Sequence, residues 1–170
     1  MQTVTDEAEE RDDGAPIEVL EQYFEARGWA CERTGEGEIV ASAPGSWAQY
    51  ELRGVWRPED AVLQFLTFPD IKVGPEKRGA IYETLGLINE QLWLGHFELW
   101  SGSGLIVFRH AALCEAGEGE GLSIEQAEAI AEAAIEECER FYPVFQFVLW
   151  GGKSPSEAIS AALIETVGEA

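Results

Sequence analysis

The chain changes hydrophobic period several times, and each change marks a new element. In "PIEVLEQYFEARG" (16–28), Ile17, Leu20 and Phe24 share one face of a 3.6-residue period, and Glu18, Glu21 and Glu25 take the other. Pro16 suits a first turn and Gly28 a C-terminal stop, so a helix is expected there. From 29 to 69 the period becomes two. In "WAQYELRGVW", Ala48, Tyr50, Leu52 and Trp56 alternate with Gln49, Glu51 and Arg53, the pattern of an antiparallel strand with one wet side. "TGEGE" and "RPED" supply turn chemistry on either side of this region. "AVLQFLTF" is apolar on both faces, as a central strand would be, and Pro69 closes it.

A second helical stripe, Ile81, Leu85, Ile88 and Leu92, runs through "GPEKRGAIYETLGLINEQLWLG", with Pro75 at its start and Gly95 at its expected end. "HFELW" and "LIVFRH" follow as strands joined by the turn "SGSG". Ser123 and Gln126 form a capping-box pattern at the head of "LSIEQAEAIAEAAIEECERFY". Ile124, Ala127, Ala131, Ala134, Ile135 and Cys138 make the expected core stripe of that helix, and Glu125, Glu128, Glu132, Glu136 and Glu139 an acidic one. A proline inside a helix loses a hydrogen bond and clashes with the preceding turn, at about 3 kcal/mol. Pro143 is therefore expected to stop or kink this helix near Phe141 and to open a short one reaching about Trp150. Glu139 would then lie near a helix end, where the dipole disfavours each acid by about 0.3–1 kcal/mol.

The expected order is α-β-β-β-(β)-α-β-β-α-α. Strands joined by hairpins cannot form an all-parallel sheet, so the class is α+β, an antiparallel sheet with helices packed on it. One domain spanning 16–168 follows an acidic lead-in, 1–15, whose composition is that of a disordered tail.

The segment "FYPVFQFVLWGGKSPSEAI" (141–159) invites a nucleotide-site reading through Gly-Gly-Lys-Ser. A phosphate-binding loop needs G-x-x-x-x-G-K-[ST], and Phe147 stands where the first glycine belongs. Another reading accounts for more residues. Ser154 caps a final helix, Pro155 opens it, Glu157 completes a capping box, and Ile159, Leu163 and Val167 share a face. The decamer before it is apolar nearly all round, as suits either burial against the sheet or a partner-binding surface.

Charge narrows the function classes. The formal net charge is −21, against a magnitude of about 2–8 for an ordinary small domain. Such a field repels nucleic-acid backbones and anionic lipid and attracts a basic protein or peptide, or cations, although solubility is the simpler account of it. Cys31, Cys114 and Cys138 are scattered and odd in number, which fits free thiols in a reducing cytoplasm. The N-terminus has neither the basic nor the apolar region of a signal peptide, and no apolar run approaches the roughly 20 residues of a membrane span. A cytoplasmic protein is expected.

Catalytic and metal patterns are weak. His110 and Cys114 have the spacing of two ligands on a helix but fall at a strand end, with no second pair. His96 begins a strand and pairs naturally with Glu98 on a wet face. No G-x-S-x-G occurs, and Glu115, Glu118 and Glu120 lack the Asp-rich loop of an EF-hand. No cofactor, metal or catalytic residue is assigned. The alternatives are an acid–base site built from glutamates with His96 or His110, or a structural homodimer.

The runs "INEQLWLGHFELWSGSGLIVFRH" and "YPVFQFVLWGGKSPSEAI", in this order of elements, resemble the YbjN family, bacterial sensory transduction regulators, over about residues 16–168. The resemblance implies a fold like that of type III secretion chaperones, a non-enzymatic interaction role and a tendency to homodimerise. It brings no catalytic residue with it. Candidate partner contacts are the aromatic residues Trp93, Trp100, Phe141, Tyr142, Phe145, Phe147 and Trp150, with Glu128, Glu132 and Glu136 for a basic partner.

Overall fold

The computed structural model describes the backbone of residues 15–114 and 121–167 and the side chains of 16–114 and 121–162. The acidic lead-in, the loop with Glu115, Glu118 and Glu120, and the side chains of Leu163 and Val167 lie outside the described residues. Helix α1 (Ala15–Ala26) leads into strands β1 (Cys31–Gly35), β2 (Glu38–Pro44), β3 (Gln49–Arg57) and β4 (Val62–Phe68). A 3-10 turn (Pro75–Lys77) opens α2 (Arg78–Asn89), followed by β5 (His96–Leu99), β6 (Ile106–Leu113), α3 (Ile124–Leu149) and α4 (Pro155–Val167). The strands form one antiparallel sheet in the order β1-β2-β3-β4-β6-β5. The α+β class is as expected.

Alternation decides which side chains meet the helices. On β3, Tyr50, Leu52 and Gly54 face them, and Gln49, Glu51, Arg53 and Val55 face away. Gly54 leaves room for α1 to lie close, since a Cβ there would collide with Leu20 and press on Ile39. Strand β4 is central and apolar on both sides. Leu63 and Phe65 enter the main core between sheet and helices, while Leu66 and Phe68 join Val107 in a smaller cluster on the opposite face.

The structure corrects three expectations. Helix α2 ends at Asn89, not at Gly95. The Asn89 side chain donates to the Phe97 carbonyl (3.1 Å) and accepts from the Phe97 N–H (2.8 Å), so it pairs with the outer edge of β5 as a neighbouring strand would. The chain then reverses through Gly95, whose φ of +69° and contact with the Phe108 ring exclude a side chain.

Second, α3 runs unbroken through Pro143. The helix that continues beyond it buries Val144, Phe145 and Val148, and Phe141 and Tyr142 are buried just before it. At roughly 1.5–3 kcal/mol for each large apolar side chain, that burial exceeds the cost of one proline. Glu139 is consequently well inside the helix, and no terminal dipole opposes it. Third, Ile124, the first residue of α3, is exposed instead of lying on the core stripe. The capping boxes at Ser123 and Ser154 both form with the expected partners, Gln126 and Glu157.

Replacing Asn89 by Ala leaves two edge groups of Phe97 without their partner, and a stability loss of about 1–3 kcal/mol is expected. Asn89→Asp, which keeps the acceptor and loses the donor, should fall between. Urea unfolding midpoints at unchanged m-value measure both.

Candidate interaction surfaces

The described helices pack on one face of the sheet, so the opposite face forms one broad surface. Register places Val40, Arg53, Leu66, Arg109 and His96 in one row across five strands, with Ser42, Glu51, Phe68 and Val107 beside it. Leu66, Phe68 and Val107 are screened from water by the side chains around them. Arg53 lies over the Phe68 ring (5.4 Å) and pairs with Glu51 (2.7 Å) and Glu38 (3.7 Å). Trp100 meets Phe68 edge-on at 5.3 Å. Long arginine stems thus cover apolar surface while their heads stay at the boundary with water.

Glu98 organises the other end of this face. It accepts from Arg109 Nη2 (3.0 Å) and Trp100 Nε1 (3.0 Å), and lies 2.9 Å from His96 Nε2. Arg109 also donates to Gln64 (3.0 Å). Partial burial pushes the Glu98 carboxyl up, but the bonds from His96, Trp100 and Arg109 together outweigh it and hold the group below the usual carboxylate range. The sequence pattern anticipated the His96–Glu98 pair. It did not anticipate Arg53, Arg109 or Phe68 as parts of a surface, because they lie on three strands and only register unites them.

The residues singled out from the sequence scatter. Phe141 and Phe145 are in the main core, both against the Phe97 ring, and this removes them from the exposed candidate surface. The reason is geometric: α3 continues through Pro143 and presents this face to β5. Tyr142 is buried under the stacked ring of Trp47 (5.7 Å), a contact that no local pattern announces. Phe147 is half-buried beneath the Lys153 ammonium (5.7 Å). Trp100 belongs to the open sheet face. Trp93 is 99% exposed and Trp150 67% exposed.

Glu128, Glu132 and Glu136 lie on the solvent side of α3, where it packs beside α1. There Glu132 faces Arg27 (4.0 Å), whose guanidinium covers the Trp29 ring (5.1 Å). Tyr23 meets Trp29 edge-on at 5.7 Å. On the same helix the Glu139 carboxylate accepts from the Ser46 N–H (2.6 Å) and fastens the β2–β3 loop to α3.

Titrating groups do not converge. His110 pairs in register with Phe65 on the helix side of the sheet, opposite the face that carries His96. Burial, and then the charge of His96, lower its pKa. Cys114 and Cys138 are buried free thiols that burial pushes up, away from the reactive thiolate. Among the described residues no three His, Cys, Asp or Glu side chains gather as metal ligands, and no helix is long and apolar enough to cross a membrane.

A six-stranded antiparallel sheet with helices on one face and a charged, partly apolar surface on the other defines an α+β domain with one open sheet face. Residues 16–147 match the YbjN family, described as "Putative bacterial sensory transduction regulator", and the chain belongs to that family. Its fold is similar to the crystal structure of YbjN from E. coli, with a TM-score of 0.52 at 13% identity, over 72% of this chain and 85% of that one. At that identity the likeness speaks for the fold alone. A chain of the crystallised ExsC–ExsE complex aligns with a TM-score of 0.46 at 14% identity, over 80% of this chain and 95% of that one. No curated protein sequence matches the chain.

The depressed Glu98 pKa stabilises the fold above the carboxyl's unfolded pKa, and that contribution is lost as pH falls through the lower folded value. Glu98→Gln should therefore be less stable than the parent at pH 7. The gap should narrow as pH drops below about 4, the ordinary carboxylate range. Unfolding midpoints between pH 7 and pH 3 test this. A gap that is constant with pH would contradict it.

Proposed function

We propose that this protein is a non-enzymatic interaction module of the cytoplasm that binds a protein partner in a regulatory or chaperone-like role. The observation that carries the proposal is Trp93, 99% exposed, with Leu94 beside it and Trp150 also in solvent, in a chain that buries most of its other large apolar side chains. Exposed tryptophan is the residue type most often found as the anchor of a protein interface, where burying it supplies much of the affinity. The family description, a regulator of sensory transduction, supports the same reading. An acid–base enzyme would have to be built on the His96–Glu98 pair (2.9 Å) alone, since His110 is on the opposite face of the sheet.

Affinity capture from the native lysate, with the parent and a Trp93→Ala/Trp150→Ala variant side by side at low and high salt, tests the proposal. One recurrent protein should be retained by the parent at both salt concentrations, and its recovery should drop at least tenfold with the variant, the effect of losing a hot-spot residue worth about 2 kcal/mol. Equal recovery by the folded variant would rule out these tryptophans as the anchor. Empty capture by the parent would overturn the interaction reading.

A further inference from the structure

We propose that the seam between α1 and α3 is a docking slot for an arginine side chain of a basic protein partner, built from Tyr23, Trp29, Glu128 and Glu132. The proposal rests on the reading above only in taking the partner to be a protein; it concerns a different surface from Trp93 and Trp150.

Tyr23 is only 4% exposed, and its hydroxyl is buried without a hydrogen-bond partner. A buried hydroxyl left unpaired is unfavourable, and such groups are uncommon in folded proteins. The Tyr23 ring meets Trp29 edge-on at 5.7 Å, and Trp29 lies under the Arg27 guanidinium that faces Glu132, so Tyr23 stands at the acidic seam, where the charges of Arg27, Glu132 and Glu128 all bear on it. Beside it stand the other two things that a guanidinium needs: the Trp29 ring as a flat aromatic face, and the Glu132 carboxylate as a counter-charge.

The chain's own Arg27 shows what the slot accepts. Its guanidinium lies 5.1 Å over Trp29 and reaches Glu132 only at 4.0 Å, with both side chains about half exposed. It makes no hydrogen bond to the Tyr23 hydroxyl. Arg27 follows the last residue of α1, so its backbone position limits where its guanidinium can sit. A guanidinium entering from solvent is free of that limit. It can lie on Trp29, donate to Glu132 and donate to the Tyr23 oxygen, once Arg27 swings aside. The planar, five-donor guanidinium suits an aromatic face with two acceptors better than an ammonium does. The net charge of −21 draws a basic segment toward the protein in the first place.

The test titrates a blocked octa-arginine peptide into the full chain at physiological ionic strength. Calorimetry gives the affinity, and the Trp29 indole N–H resonance reports the site. Tyr23→Phe removes only the hydroxyl, Glu132→Gln removes one seam charge, and Glu83→Gln on exposed α2 removes one charge elsewhere. Expected are losses of about tenfold for Glu132→Gln and about threefold to tenfold for Tyr23→Phe, with Glu83→Gln within about twofold. Arg27→Ala should tighten binding, and octa-lysine should bind more weakly than octa-arginine. Thermal unfolding of Tyr23→Phe should match or exceed that of the parent, because the lost hydroxyl was buried without a partner. Equal losses for Glu132→Gln and Glu83→Gln would reduce the effect to diffuse attraction and overturn the slot. So would an unchanged affinity in Tyr23→Phe, a weaker one in Arg27→Ala, or no binding by the parent. None of these results alters the outcome of capture with the Trp93→Ala/Trp150→Ala variant, so the two readings fail separately.

Discussion

Phe97 is where the elements of this fold must agree. Its ring packs edge-on against Phe108 of the adjacent strand and against Phe141 and Phe145 of α3, at 5.1, 5.9 and 5.5 Å. Its backbone is held by the Asn89 side chain at the end of α2. One residue on the four-residue strand β5 thereby fixes where α2 stops, how the sheet edge is closed and which face α3 turns inward. Aromatic contacts of this geometry contribute about 0.5–1.5 kcal/mol each beyond the area they bury. Together they favour a helix that continues through Pro143 over one that stops before it.

One-sided cover of the sheet follows from that arrangement. Helices α1, α3 and α2 each take a part of the same face, with α4 laid on α2 and α3. The other face is finished with side chains instead of with another layer. Arg53 and Arg109 lie across Leu66 from either side and are held by carboxylates and Gln64. In a chain of net charge −21, placing scarce arginines over the second apolar cluster gives this face a chemistry unlike that of the acidic helical side. The molecule thus presents a mixed-charge sheet, an acidic helix seam and isolated tryptophans at chain reversals, three surfaces of different chemistry.

The acidic stripe of α3 illustrates how context changes the worth of a charge. Glu136 is exposed, where an individual charge contributes little to stability. Glu132 faces Arg27, and Glu139, on the same helix, fastens the Trp47 loop through the Ser46 N–H. The spacing that makes these residues look equivalent along a helical wheel says nothing about the α1 side chains or the β2–β3 loop that meet only some of them.

Much of the architecture was legible in the chain. Period-two alternation in 49–57 set which side chains face the helices, the two-sided apolar run 62–68 identified the central strand, and the capping boxes at Ser123 and Ser154 placed two helix starts. These are local signals: they depend on backbone geometry and on neighbours a few residues away, which a sequence carries in full. The end of α2, the path of α3 through Pro143, the burial of Phe141 and Phe145, and the meetings of Tyr23 with Trp29 and of Arg27 with Glu132 were decided only by tertiary structure. Each is settled by contacts between residues far apart in the chain, whose combined burial outweighs a local preference such as proline's, and that balance exists only once the sheet and its helices have come together.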